Sequence, residues 1–308
     1  MNTIIGINGS IGEGLANELV KRGEAVRGIS RRPFPGHWEH RQADALDYQE
    51  LLGAVQGSKV VYLCLGLKYE IKVWRRDWPI AMENAIRVCL ATGAKLVFLD
   101  NVYMYGRVIG EMTEENPNRP TSEKGKVRAQ IADMLMSAVR DKGLKATIGR
   151  AADFYGPKCA NSVLNMMVID NLAKGKKASW IGRDDVVHSY TFTPDIFRSL
   201  ATLGLDERAN GQIWHLPTHA NPWTGKEYIK KIAEALHVDA KYSKMGDMTM
   251  AIGGLFNPLA REAKEMMYQY NFDYVFSSAK YESVFGDVTP TAYQEGIDLC
   301  VNSLMVNG

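Results

Sequence analysis

The sequence is short of cysteine, of net charge and of long apolar runs, and each shortage excludes a class of protein. Only four cysteines, Cys64, Cys89, Cys159 and Cys300, are spread over 308 residues, with neither zinc nor redox spacing. Cys64 and Cys89 lie in apolar runs and read as core thiols, as expected of a chain kept in a reducing cytoplasm. With 37 basic against 35 acidic side chains the formal charge is +2, which predicts attraction neither to nucleic acid nor to a membrane surface. No apolar stretch approaches the roughly 20 residues of a membrane span, and the first glycine turn comes too soon after Met1 for a signal peptide. Repeats, low-complexity tracts and long linkers are absent, and no His, Cys, Asp or Glu cluster has metal spacing, so no metal is expected. The expected partner is a small-molecule substrate, with a second copy of the chain as a candidate for a homodimer.

What the chain does contain is an ordinary globular composition, 46% hydrophobic and 23% charged. Its length suffices for one large α/β domain with an elaboration, or for two lobes. The first dozen residues are the most telling. Ile4-Ile5-Gly6-Ile7-Asn8-Gly9-Ser10-Ile11-Gly12 joins a short apolar run to glycines three apart, and Leu15, Leu19 and Val20 then give a following helix its apolar face. Strand, glycine turn and helix form the phosphate-binding half of a dinucleotide fold. Glycine lets the backbone approach a pyrophosphate, and the helix start offers it unpaired N–H groups. Gly6, Asn8, Gly9, Ser10, Ile11 and Gly12 are the candidate contacts.

Strand and helix patterns alternate through the first half, which predicts a doubly wound parallel sheet of Rossmann type. Strands are expected at Glu39–Gln42, 59–65, 95–99 and 146–149, and helices at Tyr48–Val55, 80–91 and 122–142. In the long helix Val127, Ile131, Met134, Leu135, Ala138 and Val139 make one apolar stripe, and Gly143 supplies the stop. Beyond Arg150 helices dominate, at 162–172, 195–203, 224–236, 258–270 and 291–304, while 212–216 reads as a buried strand returning to the sheet. The predicted division is a dinucleotide-binding domain over 1–154, rejoined by 188–219. A smaller, mostly helical substrate-binding lobe comprises 155–187 and 220–308.

The second strand closes on Ser30-Arg31-Arg32. An NAD-preferring fold places a carboxylate there to accept from the ribose 2′-hydroxyl. A hydroxyl and two guanidinium groups suit a 2′-phosphate instead, so NADP is favoured over NAD. Asp44 and Ala45 follow the third strand and are placed for the adenine edge. Cys64, Leu65 and Gly66 end the fourth strand beside the expected cofactor.

At this point the chain resembles the extended short-chain dehydrogenase/reductase superfamily, in particular its nucleotide-sugar epimerase/dehydratase branch. The resemblance rests on the glycine turn and on Asp100-Asn101-Val102-Tyr103-Met104-Tyr105-Gly106 in the place of a Ser-Ser-x-x-Val-Tyr-Gly segment. It also rests on Arg150-Ala151-Ala152-Asp153-Phe154-Tyr155-Gly156-Pro157 for Arg-x-x-x-x-Tyr-Gly-Pro, and on the closing Phe285-Gly286 and Pro290-Thr291. It implies a Rossmann domain with a substrate lobe, and hydride chemistry on a nicotinamide. It also implies a Tyr-x-x-x-Lys pair at the start of the long helix, with a Ser or Thr on the preceding strand end. The tyrosine handles the substrate proton; the lysine holds the ribose and lowers the tyrosine's pKa.

Here the sequence departs from the pattern it resembles. Aligned by the apolar stripe, Lys126 takes the lysine position, Ser122 that of the tyrosine and Asn101 that of the Ser/Thr. A serine hydroxyl is a far weaker acid than a phenol. One reading makes Tyr103 or Tyr105 a displaced acid in an atypical reductase of carbonyls. A second uses substrate-assisted or water-mediated proton transfer, as for an enone; the Ser30-Arg31-Arg32-Pro33 turn and Trp38 resemble plant-type progesterone 5β-reductase-like enzymes. A third keeps only dinucleotide sensing, as in the negative-regulator type of short-chain fold, and an outright nucleotide-sugar epimerase or dehydratase completes the set. Trp74-Arg75-Arg76-Asp77-Trp78 is a candidate crevice wall. Arg150 is expected to hold carbonyls or a carboxylate, His188 to be structural, and Lys124 to be solvated or at a phosphate. Lys158, Asn161 and Ser162 lie where substrate contacts would begin.

Overall fold

A computed structural model describes residues 1–256 and 258–306, without the side chains of 254–259 and 306. The first half runs β1 (Asn2–Ile5), α1 (Ser10–Lys21), β2 (Val26–Ser30), β3 (Glu39–Gln42), α2 (Tyr48–Val55), β4 (Val60–Leu63), α3 (Ile71–Thr92), β5 (Lys95–Asp100), β6 (Glu111–Met112), α4 (Glu123–Lys142) and β7 (Ala146–Arg150). It continues with β8 (Asp153–Tyr155), α5 (Asp170–Ala173), β9 (Ala178–Ile181), β10 (Val187–His188), β11 (Tyr190–Phe192), α6 (Thr193–Leu205) and β12 (Ile213–His215). Then come β13 (Trp223–Thr224), α7 (Gly225–Leu236), β14 (Tyr242–Met245), α8 (Asp247–Phe256), α9 (Pro258–Ala263), β15 (Val275–Phe276), α10 (Ala279–Val284) and α11 (Tyr293–Val306).

Seven parallel strands form the central sheet in the order β12-β7-β5-β4-β1-β2-β3. Its strands are apolar on both faces because helices cover both, α2, α3 and α4 on one side and α1 and α6 on the other. The chain order reverses between β1 and β4, and the loops leaving those strands open a crevice at their carboxyl ends. The doubly wound α/β class expected from the alternating pattern is the fold observed, and 212–216 returns to the sheet as β12.

Where elements differ from expectation, packing supplies the reason. Helix α3 starts at Ile71, well before residue 80, and carries Pro79 inside it. Trp74, Trp78, Met82 and Ala85 form its buried stripe, and their packing outweighs the bond lost at the proline. The wall expected at 74–78 is therefore helix, and its two indoles face the core. The stretch expected as a helix over 162–172 contains a π-helical turn at Asn165–Ile169. That over 258–270 passes from α9 into a 3-10 helix, Lys264–Gln269. A further apolar cluster, separate from the two on the sheet, gathers Tyr155, Trp180, Tyr190, Tyr228 and Tyr293. Among the described residues, no helix is long and apolar enough to cross a membrane.

Candidate active site

The glycine turn is built by steric exclusion. Gly6 has φ +89°, and a Cβ on it would lie 2.7 Å from the Cys64 carbonyl oxygen. A Cβ on Gly12 would fall 2.3 Å from the Gly6 carbonyl oxygen, so only glycine lets α1 sit down on the turn. Gly9 is the N-cap of α1, with no side chain to cap it. The amides of Ser10, Ile11 and Gly12 are thus left for a ligand at the positive end of the helix. This cradle fits a dinucleotide pyrophosphate. Asn8 stands exposed on the turn, and Cys64, Leu65 and Gly66 leave β4 directly against it, Cys64 N–H donating to the Ile5 carbonyl at 3.0 Å. Burial pushes the Cys64 thiol up to about 12, which removes it as a nucleophile.

At the end of β2 the Ser30 hydroxyl donates to the Arg32 carbonyl at 2.6 Å and lies 2.9 Å from His40 Nε2. Ser30 therefore shapes the turn, while Arg31 and Arg32 project into solvent. Among the described residues neither guanidinium is held in an ion pair. Asp44 is tied into its own turn, Oδ1 accepting from Leu46 N–H at 3.0 Å, and the Ala45 carbonyl accepts from Asn84 Nδ2 at 3.0 Å.

The start of α4 corrects three expectations. Ser122 is the N-cap rather than a helical residue, and its Oγ accepts from Gly125 N–H at 3.0 Å. Lys126 faces solvent and pairs with Glu123 at 2.6 Å, so it does not enter the crevice. Lys124, expected to be solvated, is instead fully buried. Its Nζ lies 2.6 Å from Glu262 Oε2, 2.9 Å from Glu265 Oε1 and 4.6 Å above the Tyr69 ring. Residues two apart on a helix point about 200° apart, so burying one of these lysines exposes the other.

The two candidate phenols also part company. Tyr105 is sealed in the core, its hydroxyl donating to His215 Nε2 at 2.8 Å while His215 Nδ1–H donates to the Ser277 carbonyl at 2.9 Å. Arg150 covers its ring at 4.7 Å, so Tyr105 is not a crevice acid. Tyr103 is half-buried, stacked on Trp74 at 6.3 Å, with its hydroxyl against that of Tyr69. Asn101 positions it, Oδ1 accepting from Tyr103 N–H at 3.2 Å. Arg150 holds a carboxylate as expected, with Nε 3.5 Å from Asp100, which Arg128 also binds at 2.7 Å. Trp74 and Trp78 are core residues, and the cation over Trp78 is the internal Arg128, at 4.5 Å.

Sequence reasoning missed the carboxylates of this region that bind Tyr270 and the starts of α3 and α4. Asp153 accepts from the Tyr270 hydroxyl at 2.7 Å and lies 3.1 Å from His188 Nε2. His188 is structural, sandwiched between Tyr270 and Tyr274 at 4.8 and 4.4 Å. Glu262 accepts from the first amide of α3, Ile71, at 2.9 Å, and Glu265 from that of α4, Glu123, at 2.6 Å. The spacing Glu262-x-x-Glu265-x-x-Tyr268 was the available signal. It has the period of a 3-10 helix and is easily mistaken for one edge of an α-helix.

A family model described as the NAD dependent epimerase/dehydratase family matches residues 3–214. A search of curated proteins finds no match. Among solved structures, the UDP-glucose 4-epimerase of Thermus thermophilus in complex with NAD superposes with a TM-score of 0.81 at 18% identity, covering 99% of each chain. A dTDP-glucose 4,6-dehydratase double mutant from Streptomyces venezuelae with NAD bound gives 0.80 at 16% identity, covering 100% of this chain and 97% of that one. The dTDP-glucose 4,6-dehydratase of Bacillus anthracis, in complex with NAD, gives 0.82 at 16% identity with the same coverage. At these identities the likeness is one of fold.

Proposed function

The chain belongs to the NAD dependent epimerase/dehydratase family, a family of nicotinamide-dependent enzymes, and from that premise we propose that it is an NADP-dependent oxidoreductase reducing a small, uncharged carbonyl or enone. The observation that carries the cofactor choice is the end of β2. Two exposed guanidinium groups, free of ion pairs among the described residues, follow Ser30 where a 2′-hydroxyl would call for a carboxylate. The similar structures hold NAD, so this preference is a property of this chain's own loop.

The substrate class follows from charge. Glu262 and Glu265 already occupy the amides that begin α3 and α4 and pair with the buried Lys124, and Asp153 accepts from Tyr270, so this seam leaves neither a cation nor an open helix start for a diphosphate. A nucleotide diphosphate would meet carboxylates there, whereas a neutral carbonyl meets phenols and aromatic rings. The competing reading, an epimerase or dehydratase of nucleotide sugars, is favoured by the company of the UDP-glucose and dTDP-glucose enzymes.

The test is a pair of binding titrations with NADPH and NADH, followed by turnover on ketones, enones and sugar nucleotides. Charge-assisted bonds are worth about 1.5–3 kcal/mol each. Arg31→Ala with Arg32→Ala is therefore expected to weaken NADPH binding about 100-fold or more and leave NADH unchanged. Equal affinities for the two cofactors in the wild type would sink the NADP assignment.

A further inference from the structure

Three side chains from one short stretch of the C-terminal half meet the first turn of α4 in a row. The period of three residues per turn in the 3-10 helix Lys264–Gln269 stacks Glu265 and Tyr268 on one face, and Glu262 precedes them by one more such step in α9. Glu262 binds Lys124 and the start of α3; Glu265 binds Lys124 and the start of α4. Tyr268, next along, directs its phenol to the Tyr103 carbonyl oxygen at 3.4 Å and to the Ser122 hydroxyl. Carboxylates on a buried ammonium and on helix N-termini make charge-assisted bonds, so this seam fixes the tyrosine firmly.

We propose that Tyr268 is the proton donor of the reaction, a phenol brought to the Ser122 position from the C-terminal half of the chain rather than from α4. The inference rests on the NADP-dependent reductase reading above. The other phenols nearby are either bonded or sealed in the core, as the unbonded Tyr274 hydroxyl is. Tyr105 is locked to His215, Tyr103 meets Tyr69, and Tyr270 donates to Asp153. Burial, with Asp153 and Glu265 close by, pushes the Tyr268 phenol up, so it is protonated in the free protein, and a cationic nicotinamide beside it would have to lower that pKa for efficient donation. A nicotinamide held by the glycine turn would supply the hydride for the substrate carbon, and this chain's own part is the proton. The Tyr268 O–H bond breaks, its proton forms the new O–H bond on the substrate oxygen, and the phenolate regains a proton from water. NADPH is oxidised and the carbonyl becomes an alcohol.

The experiment compares wild type, Tyr268→Phe and Tyr103→Phe in NADPH affinity, in NADPH turnover, and in near-ultraviolet titration of phenolate with NADP+ bound. The positive charge of the oxidised ring should lower the pKa of the one phenol beside it. Tyr268→Phe is expected to keep NADPH affinity within about twofold, which shows that it is folded. It should lose about 10²- to 10⁴-fold in kcat and lose the phenolate signal that Tyr103→Phe retains. Glu262→Gln with Glu265→Gln, which loosens the seam and leaves the phenol intact, should lower kcat about tenfold in wild type and not at all in Tyr268→Phe. If NADPH binds and no trial substrate turns over, the titration decides. A Tyr268→Phe protein that binds NADPH and titrates as wild type does would overturn this inference alone. No NADPH binding by the wild type would overturn the functional reading and this inference with it.

Discussion

His215 carries a consequence of burial that a pH titration of stability can read. Burial in the core, against the Phe276 ring at 4.2 Å and with Arg150 and Lys280 nearby, pushes its pKa down to about 3. The unfolded chain takes up a proton on this side chain below about pH 6.5, and the folded chain does not. Between about pH 6.5 and 3 the unfolded state thus binds more protons, so this contribution to stability is full at neutral pH and falls as pH drops. Urea midpoints at pH 7, 6 and 5 should show wild type losing up to about 1.4 kcal/mol per pH unit more than His215→Asn across the lower part of that range. Parallel slopes would show that His215 is protonated in the fold. The same burial explains why Tyr105 could not be judged from sequence. The Tyr-Gly motif names the residue, but only the fold shows that its hydroxyl ends on an imidazole.

Helix α4 shows the limit of periodicity. Its stripe was legible from Val127, Ile131 and Leu135, and its stop from Gly143. Its first turn was not, because the choice between Lys124 and Lys126 depends on what packs over it from residues more than a hundred positions away. Two substitutions separate the lysines. Lys124→Met strands Glu262 and Glu265, which are only 15% and 24% exposed, and should cost about 2 kcal/mol or more in urea denaturation. Lys126→Met removes a pair whose lysine is 61% exposed and should stay within about 0.5 kcal/mol of wild type. Equal costs would mean that the helix is rotated from the position described. The seam from Glu262 to Tyr268 was hidden for the same reason. Its spacing by three was visible, but the face it presented was fixed by the lysine and helix ends it found.

The seven-stranded sheet gathers the glycine turn, the Cys64–Gly66 loop, the end of β2 and the start of α4 around one crevice, though these segments span more than a hundred residues of chain. A ligand seated across that switch point binds only the folded state. NADPH at about 100 times its dissociation constant should therefore raise unfolding free energy by about 2.7 kcal/mol. Differential scanning should show a higher midpoint with NADPH and a smaller shift with NADH at the same concentration; no shift with either would argue against the dinucleotide cradle. The sequence by itself determined the sheet and the turn, because glycine spacing, strand patterning and helix stripes are local or periodic and survive without a partner. The order of Ser30, Arg31 and Arg32 likewise belongs to one loop. Only the tertiary structure decided which lysine is buried, which phenol is sealed, and that carboxylates from the C-terminal half cap α3 and α4 with a tyrosine beside them. Those outcomes depend on contacts between distant segments, where desolvation and charge pairing favour one arrangement that no local pattern encodes.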